Sequence, residues 1–311
     1  FRFHTGWRGV PQWWKLQAFA HTRAADGALE DAEAWLRAHS EDPFFLWVHV
    51  FEPHMPYESH EVAGDVFSYQ DANEIRNSKG RAPARPVNLY DSEIRYADDA
   101  LGHLLSLIDE LDASDSTVVV VVGDHGEHMD EERAGRRWWF SHAGVYEEVC
   151  RVPMVLRVPS AASRWSGSGA AGRVVPELVS TMDLGPTLLS VLGVPETRTN
   201  VRGRDLTPLL SRGEWEELPV VVLANPHEEL DTRALRCARW KLVTSAEEGD
   251  RLFDLAADPL ETVNLAHEYP SVLDSLRILL DAVTATWAEP AKQPELDPEA
   301  REMLRALGYV N

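Results

Sequence analysis

Cysteine is almost missing from this chain, and the scarcity excludes two architectures at once. Only Cys150 and Cys237 occur, which allows neither a disulfide framework nor a cysteine-based metal knuckle. We read them as two buried free thiols, with a single bridge between them left open. Positive charge is the second shortage. Lysine and arginine number 30 against 51 aspartates and glutamates, a formal charge of −21. That balance argues against a nucleic-acid or anionic-membrane surface. An anionic substrate would need positive charge gathered locally. Long apolar runs are absent too, since nothing approaches the ~20 residues of a transmembrane helix. Phe1 to Thr5 is not a signal peptide, and position 1 is not Met, so we read the chain as a piece of a longer one and leave its compartment open.

What remains is ample for a core. The 311 residues are 44% hydrophobic, with 19 Gly and 19 Pro, which suits one large α/β domain plus a smaller appendage. The first twenty residues show no clear period. From Thr22 to Ala38, Ala25, Leu29, Ala32 and Leu36 repeat as one face of a helix. Phe44 to Phe51 is aromatic and β-branched and reads as a strand. It is stopped at Pro53 and Pro56, which cannot donate to a ladder. Residues 58–89 read as a long loop lining a site. A second helix carries Ile94, Ala97, Leu101, Leu104, Leu105, Ile108 and Leu111, with Asp91 as its cap.

The helix leads into the most informative stretch, Thr117 to His128. Its five valines read as a strand buried on both faces, as in a parallel sheet. Such strands present ligands at their carboxyl ends. Here that end carries Gly123, Asp124, His125, Gly126 and Glu127, an acid and an imidazole flanked by residues that permit a tight turn. Arg151 to Val158 is a further strand, and Asp130 to Arg133 reads as a solvated loop. A helix starts near Asp183 as cap, with Pro186 in its first turn and Gly193 at its end. After about Ser211 the texture changes to short strands at Val220–Ala224, Arg239–Val243 and Arg251–Leu255. Helical stretches at Val272–Trp287 and Pro298–Leu307 close a small α+β subdomain. Ser160 to Gly172 reads as a surface loop.

Several segments then fall in a telling order. Phe45 to Tyr57 contains Glu-Pro-His-Met-Pro, and Tyr90 to Asp98 follows it. Val119 to Glu127 ends in Gly-Asp-His-Gly-Glu, and Phe140 to Glu148 contains Ser-His-Ala-Gly. Val179 to Leu189, Trp240 to Val243 with Leu252 to Leu265, and Leu304 to Tyr309 complete the series. Together they resemble the sulfatase family of the alkaline-phosphatase superfamily, in the part that follows the nucleophile region. The resemblance covers nearly everything from about Thr22 onward. It implies an alkaline-phosphatase-like α/β fold, a mostly parallel sheet between helices, over residues 1–212. Residues 213–311 would form the α+β subdomain with an antiparallel sheet.

The resemblance also implies roles. Asp124 and His125 match metal-ligand positions for a divalent cation, calcium first and manganese as the alternative, because an imidazole is a softer donor than calcium prefers. His54 matches the histidine that contacts the sulfate ester and its nucleophile. His142 matches a position that stabilises the leaving-group oxygen. By contrast, His49 reads as a hydrogen-bonded core residue, and His103 and His128 as surface residues. Trp138 and Trp139 read as packing before substrate wall.

Sulfatases act through a formylglycine made from Cys or Ser in a Cys/Ser-x-Pro/Ala-x-Arg motif. Cys150-Arg-Val-Pro has its proline misplaced and Cys237-Ala-Arg-Trp has none. The nucleophile and the N-terminal Asp pair are therefore expected outside these residues. The implied activity is metal-dependent hydrolysis of a small-molecule or carbohydrate sulfate ester, with the chain alone inactive. A phosphodiesterase or phosphonate monoester hydrolase of the same superfamily, or a non-catalytic relative, is the alternative. No nucleic acid and no membrane segment is expected, and a homo-oligomer is left open. Many family members are periplasmic or secreted.

Overall fold

The structure, a computed structural model, describes residues 15–20, 25–54, 57, 60, 85–129, 131–133, 136–138, 142, 144–159, 172–195, 203–211, 215–216, 220–223, 232–246 and 248–285. They fall into two compact units, one within residues 1–115 and one within 116–292. The reading of helix at Pro298–Leu307 and of loop at 160–171 lies outside the described residues.

The first unit is a βαβ arrangement. Strand β1 (Lys15–Ala20) runs parallel to β2 (Phe44–His49), Lys15 opposite Phe44 and Ala20 opposite His49. Between them α1 (Ala25–His39) buries Ala25, Ala28, Leu29, Ala32 and Leu36. That is the 3.6-residue stripe expected from the sequence, and each leucine contributes about 1.5–3 kcal/mol by leaving water. The first turn of α1 is held from outside. Ala25 N donates to Glu52 Oε1 at 2.8 Å, satisfying one of the amides that a helix start leaves without an internal partner. Strand β2 ends before the prolines, as expected.

Helix α2 (Arg85–Glu110) packs beside α1. It starts earlier than Asp91, which lies within it, so Asp91 is not its cap. Pro86 near the start is the better boundary signal, because proline fits a first turn. The buried face is also rotated. Leu89, Ser92, Glu93, Leu104, Leu107 and Ile108 are buried, whereas Ile94 is 44% exposed. His49 is half-buried beside an exposed Trp47 rather than in a core.

In the second unit, the valine strand β3 (Val119–Val122) pairs with β6 (Met154–Arg157), Val119 opposite Arg157 and Val122 opposite Met154. The pairing is antiparallel, and Val122 is 42% exposed. This corrects the expectation of a strand buried between parallel neighbours. A run of valines reports β-propensity and low polarity, but not the direction of its partner. Between these strands come a hairpin, β4 (Glu131–Arg133) with β5 (Arg136–Trp138), and a single turn of helix, α3 (Glu147–Cys150). Glu131–Arg133 of the acidic run is thus a hairpin strand and not a loop, whereas Asp130 lies outside the described residues.

A 3₁₀ turn (Thr181–Asp183) leads into α4 (Leu184–Val191). Asp183 is the residue before α4, as expected, but its side chain makes no cap bond to that helix. It closes the 3₁₀ turn instead, where the Ser180 side chain accepts from Met182 N and Asp183 Oδ2 accepts from Ser180 N at 2.8 Å, a reciprocal capping box. Gly193 ends the segment at φ +67, where glycine is favoured. After α5 (Thr207–Leu210), four strands form an antiparallel meander: β7 (Val220–Leu223), β8 (Thr232–Arg236), β9 (Trp240–Ser245) and β10 (Arg251–Asp254). Side chains alternate across it. Leu235, Leu242 and Leu252 face Leu273, Leu276 and Leu280 of α6 (Pro270–Ala285). Ala234, Val243 and Phe253 pack with Val145 and Tyr146 on the other side. The chain thereby attaches α3 to the face of the sheet opposite α6.

Candidate functional site

The Gly-Asp-His-Gly segment lies directly after β3 and is stapled at one end to α3 and at the other to the stretch between α3 and β6. Gly123 N donates to Pro153 O at 3.1 Å and Gly126 N to Val149 O at 2.7 Å. The second staple requires a glycine. A Cβ on Gly126 would lie 2.0 Å from Glu148 O, far inside van der Waals contact, so only a hydrogen fits.

The staples present Asp124 and His125 outward. The Asp124 side chain is 62% exposed and His125 26%. Asp124 Oδ1 accepts from His125 N at 2.8 Å, and His125 Nδ1 lies 2.9 Å from Gly126 O. A carbonyl oxygen can only accept, so Nδ1 donates in this contact, and a neutral ring then carries its lone pair on Nε2. That is the tautomer in which an imidazole ligates a cation through Nε2 while its other nitrogen is oriented by the backbone. Nε2 stands 3.9 Å from Asp124 Oδ2, a separation that two ligands of one cation, each ~2.0–2.6 Å from it, can adopt. The pair fits as part of a divalent-cation shell. Among the described residues no group of three or more His, Cys, Asp or Glu side chains gathers into a metal site, and calcium takes about six to eight ligands.

His142 joins this pair. Its ring centroid is 4.5 Å from that of His125 at an interplanar angle of 32°, although 17 positions separate them in sequence. His54 belongs to the first unit. Its N donates to Phe51 O at 3.1 Å and its ring lies 4.6 Å from the Phe51 ring, so the Glu-Pro-His turn is closed on itself. Three of the four site residues read from sequence thus come together within the second unit, and His54 is placed in the first.

Two histidine readings divide. His103 is exposed, as expected, but His128 is fully buried, its ring 6.1 Å from Tyr146. Both thiols are free and half-buried. Burial pushes the Cys150 thiol up to about 11, which keeps it protonated at neutral pH and unsuited to act as a nucleophile. The sequence reading also overlooked one motif. Ser160-Ala-Ala-Ser-Arg164 matches Ser-x-Ala-x-Arg; it follows the Asp-His segment in the chain and lies outside the described residues.

A model of the sulfatase family matches residues 10–194, and one of the N-sulphoglucosamine sulphohydrolase C-terminal region matches residues 135–285. A choline-sulfatase of Rhizobium meliloti is 26% identical over 279 residues, covering 80% of this chain and 51% of the relative. Arylsulfatase K of Rattus norvegicus is 28% identical over 297 residues, covering 79% and 50%. The chain therefore spans about half the length of these relatives. Among solved structures, a 2-O GAG sulfatase aligns with TM-score 0.62 at 20% identity, over 94% of this chain and 75% of the other. A protein solved with its substrate D-glucosamine-2-N,6-O-disulfate aligns with TM-score 0.60 at 16% identity, over 84% and 69%. These likenesses carry the alkaline-phosphatase-like fold, and with the family model spanning more than half of its residues the chain belongs to the sulfatase family.

Proposed function

We propose that the protein hydrolyses sulfate esters with a divalent cation, calcium first and manganese second, held in part by Asp124 and His125. Sulfatases generally use a divalent cation. The observation that carries the reading is the placement of the His125 ring, with Nδ1 2.9 Å from Gly126 O and Nε2 3.9 Å from Asp124 Oδ2. Such a cation would draw charge from the sulfate oxygens. Asp124 supplies a hard oxygen donor and, through its bond to His125 N, holds the next residue in position. His142 stands beside His125 and would stabilise charge on the departing oxygen. His54 would bind the sulfate group and orient the nucleophile.

In this reading residues 1–212 belong to the catalytic domain and 213–311 to the C-terminal subdomain. The nucleophile is a formylglycine carried outside these residues. The substrate class is a sulfated small molecule or carbohydrate, in keeping with relatives named for choline and aryl sulfates. The test compares matched 4-nitrophenyl sulfate, 4-nitrophenyl phosphate and a phenylphosphonate ester on the gene product that contains these residues. Sulfate turnover at least about a hundredfold above the phosphorus esters, some 2.7 kcal/mol of transition-state preference, supports the reading. Faster phosphorus chemistry overturns it in favour of a phosphodiesterase or phosphonate hydrolase.

A further inference from the structure

A group of buried charges in the second unit takes no part in the proposed chemistry. Strand register sets Arg236 of β8 directly opposite Lys241 of β9, and two like charges so placed repel. Both turn toward the face of the sheet that carries α3. There Glu147 Oε1 lies 3.0 Å from Lys241 Nζ and 3.4 Å from Arg236 Nε. A second carboxylate completes the group, with Glu261 Oε1 3.0 Å from the same Nζ. Its other oxygen accepts from Glu147 N at 2.6 Å. The Lys241 and Glu261 side chains are 0% exposed. These partners come from far along the chain, Lys241 94 residues after Glu147 and Glu261 114 residues after it.

Stability alone is a weak account of such a group. Buried ion clusters cost several kcal/mol of desolvation per ion, and apolar replacements of equal size are often as stable. Glu261 also holds an unfavourable backbone, φ +53, in the left-handed region where glycine or asparagine is preferred. A charged side chain kept there against local preference suits a specific placement. What the cluster grips is α3, and α3 grips the loop. Val149 O receives Gly126 N at 2.7 Å, and the Glu148 carbonyl leaves no room for a Cβ at Gly126.

We propose that Arg236, Lys241 and Glu261 are positioning residues for the Asp124–His125 loop: the C-terminal sheet clamps Glu147, and the clamped turn fixes the loop through Gly126. The role of the loop as a cation site rests on the function proposed above; the mechanical link does not. Partners of first ligands commonly change metal affinity without touching the metal, and this device does so across two intervening residues.

The test is amide hydrogen exchange with calcium calorimetry on the gene product that contains these residues, as wild type, Lys241→Met and the isosteric Glu261→Gln. Expected is about a tenfold loss of protection at the Gly126 amide, with Leu235 and Leu242 amides changed less than about twofold. Calcium affinity should fall about tenfold to a hundredfold in both variants. Unchanged Gly126 exchange in both overturns the clamp. So does loss of protection spread evenly through the second unit, which is the signature of a merely structural cluster. If the wild type binds no calcium, the cation reading fails, and Gly126 exchange still decides the clamp. Should Lys241→Met fail to fold, Glu261→Gln carries the same measurements.

Discussion

Gly126→Ala is the sharpest probe of how the loop is built. The added methyl would sit 2.0 Å from Glu148 O and 3.0 Å from its carbonyl carbon. Both are backbone atoms, so no rotamer can relieve the clash. The loop must lift away, giving up the Gly126 to Val149 hydrogen bond. That bond is worth about 0.5–1.5 kcal/mol net, and the strain of overpacking adds about 1–3 kcal/mol. The stiffer unfolded chain of an alanine returns about 0.4–1 kcal/mol, leaving a net loss near 2 kcal/mol. Urea unfolding should show a lower midpoint at unchanged slope. Two glycines serve as references. Gly102, inside α2 with nothing within 4 Å of a Cβ, should gain about 0.5–1 kcal/mol as alanine. Gly203, whose Cβ would meet Met182 O at 1.9 Å, should lose stability yet leave calcium affinity alone. If Gly126→Ala is as stable as wild type, or moves with Gly102→Ala, the close packing of loop on turn is wrong.

The ion cluster makes a pH prediction with two opposite signs. Burial works against ionising Glu147, but Lys241 and then Arg236 outweigh it and hold its carboxyl below the ordinary value of 4.5. Its contribution is full above about pH 4.5 and lost as pH falls through the lowered value, so Glu147→Gln should cost most near pH 7 and least near pH 3. Burial pushes the Glu261 carboxyl up despite Lys241. Its contribution is present below about pH 4.5 and lost as pH rises, so the cost of Glu261→Gln should fall with rising pH. Thermal unfolding of both variants across that range checks the pair, and parallel curves would contradict it. For the two site histidines, His142→Ala should slow alkyl sulfates more than aryl sulfates, since poor leaving groups need more charge stabilisation. His54→Ala should slow both alike, so equal leaving-group dependence in the two mutants would refute the division of roles.

Much of the fold was legible because its signals are local. The α1 stripe, the proline stop after β2, strands β9 and β10 and helix α6 all follow from side-chain period or from a breaker within a few residues. Strand β8 was missed because Thr-Arg-Ala-Leu-Arg places arginines where an isolated reading expects solvent; one of them lies against Glu147. His128, between Glu127 and Met129, looked solvated, and its burial comes from Tyr146 on a later turn. Lys241 was seen only as part of a short strand, since its carboxylates lie 94 and 20 positions away. Asp124 and His125 stood out for the opposite reason. They are adjacent, at the end of an unmistakable strand, and flanked by the glycine that the Glu148 carbonyl demands. His142 entered the site only through resemblance, because no periodicity links a loop after a hairpin to a loop before it; its closeness to His125 is visible only in the structure.

The most direct measurement is metal-dependent sulfate release by the gene product containing these residues, with wild type and Asp124→Ala stripped by chelator and then given calcium. The account predicts that wild type loses activity on chelation and regains it with calcium, whereas Asp124→Ala stays at least about a hundredfold slower at every calcium concentration. Sulfate release that survives chelation, or an Asp124→Ala variant as active as wild type, would contradict it.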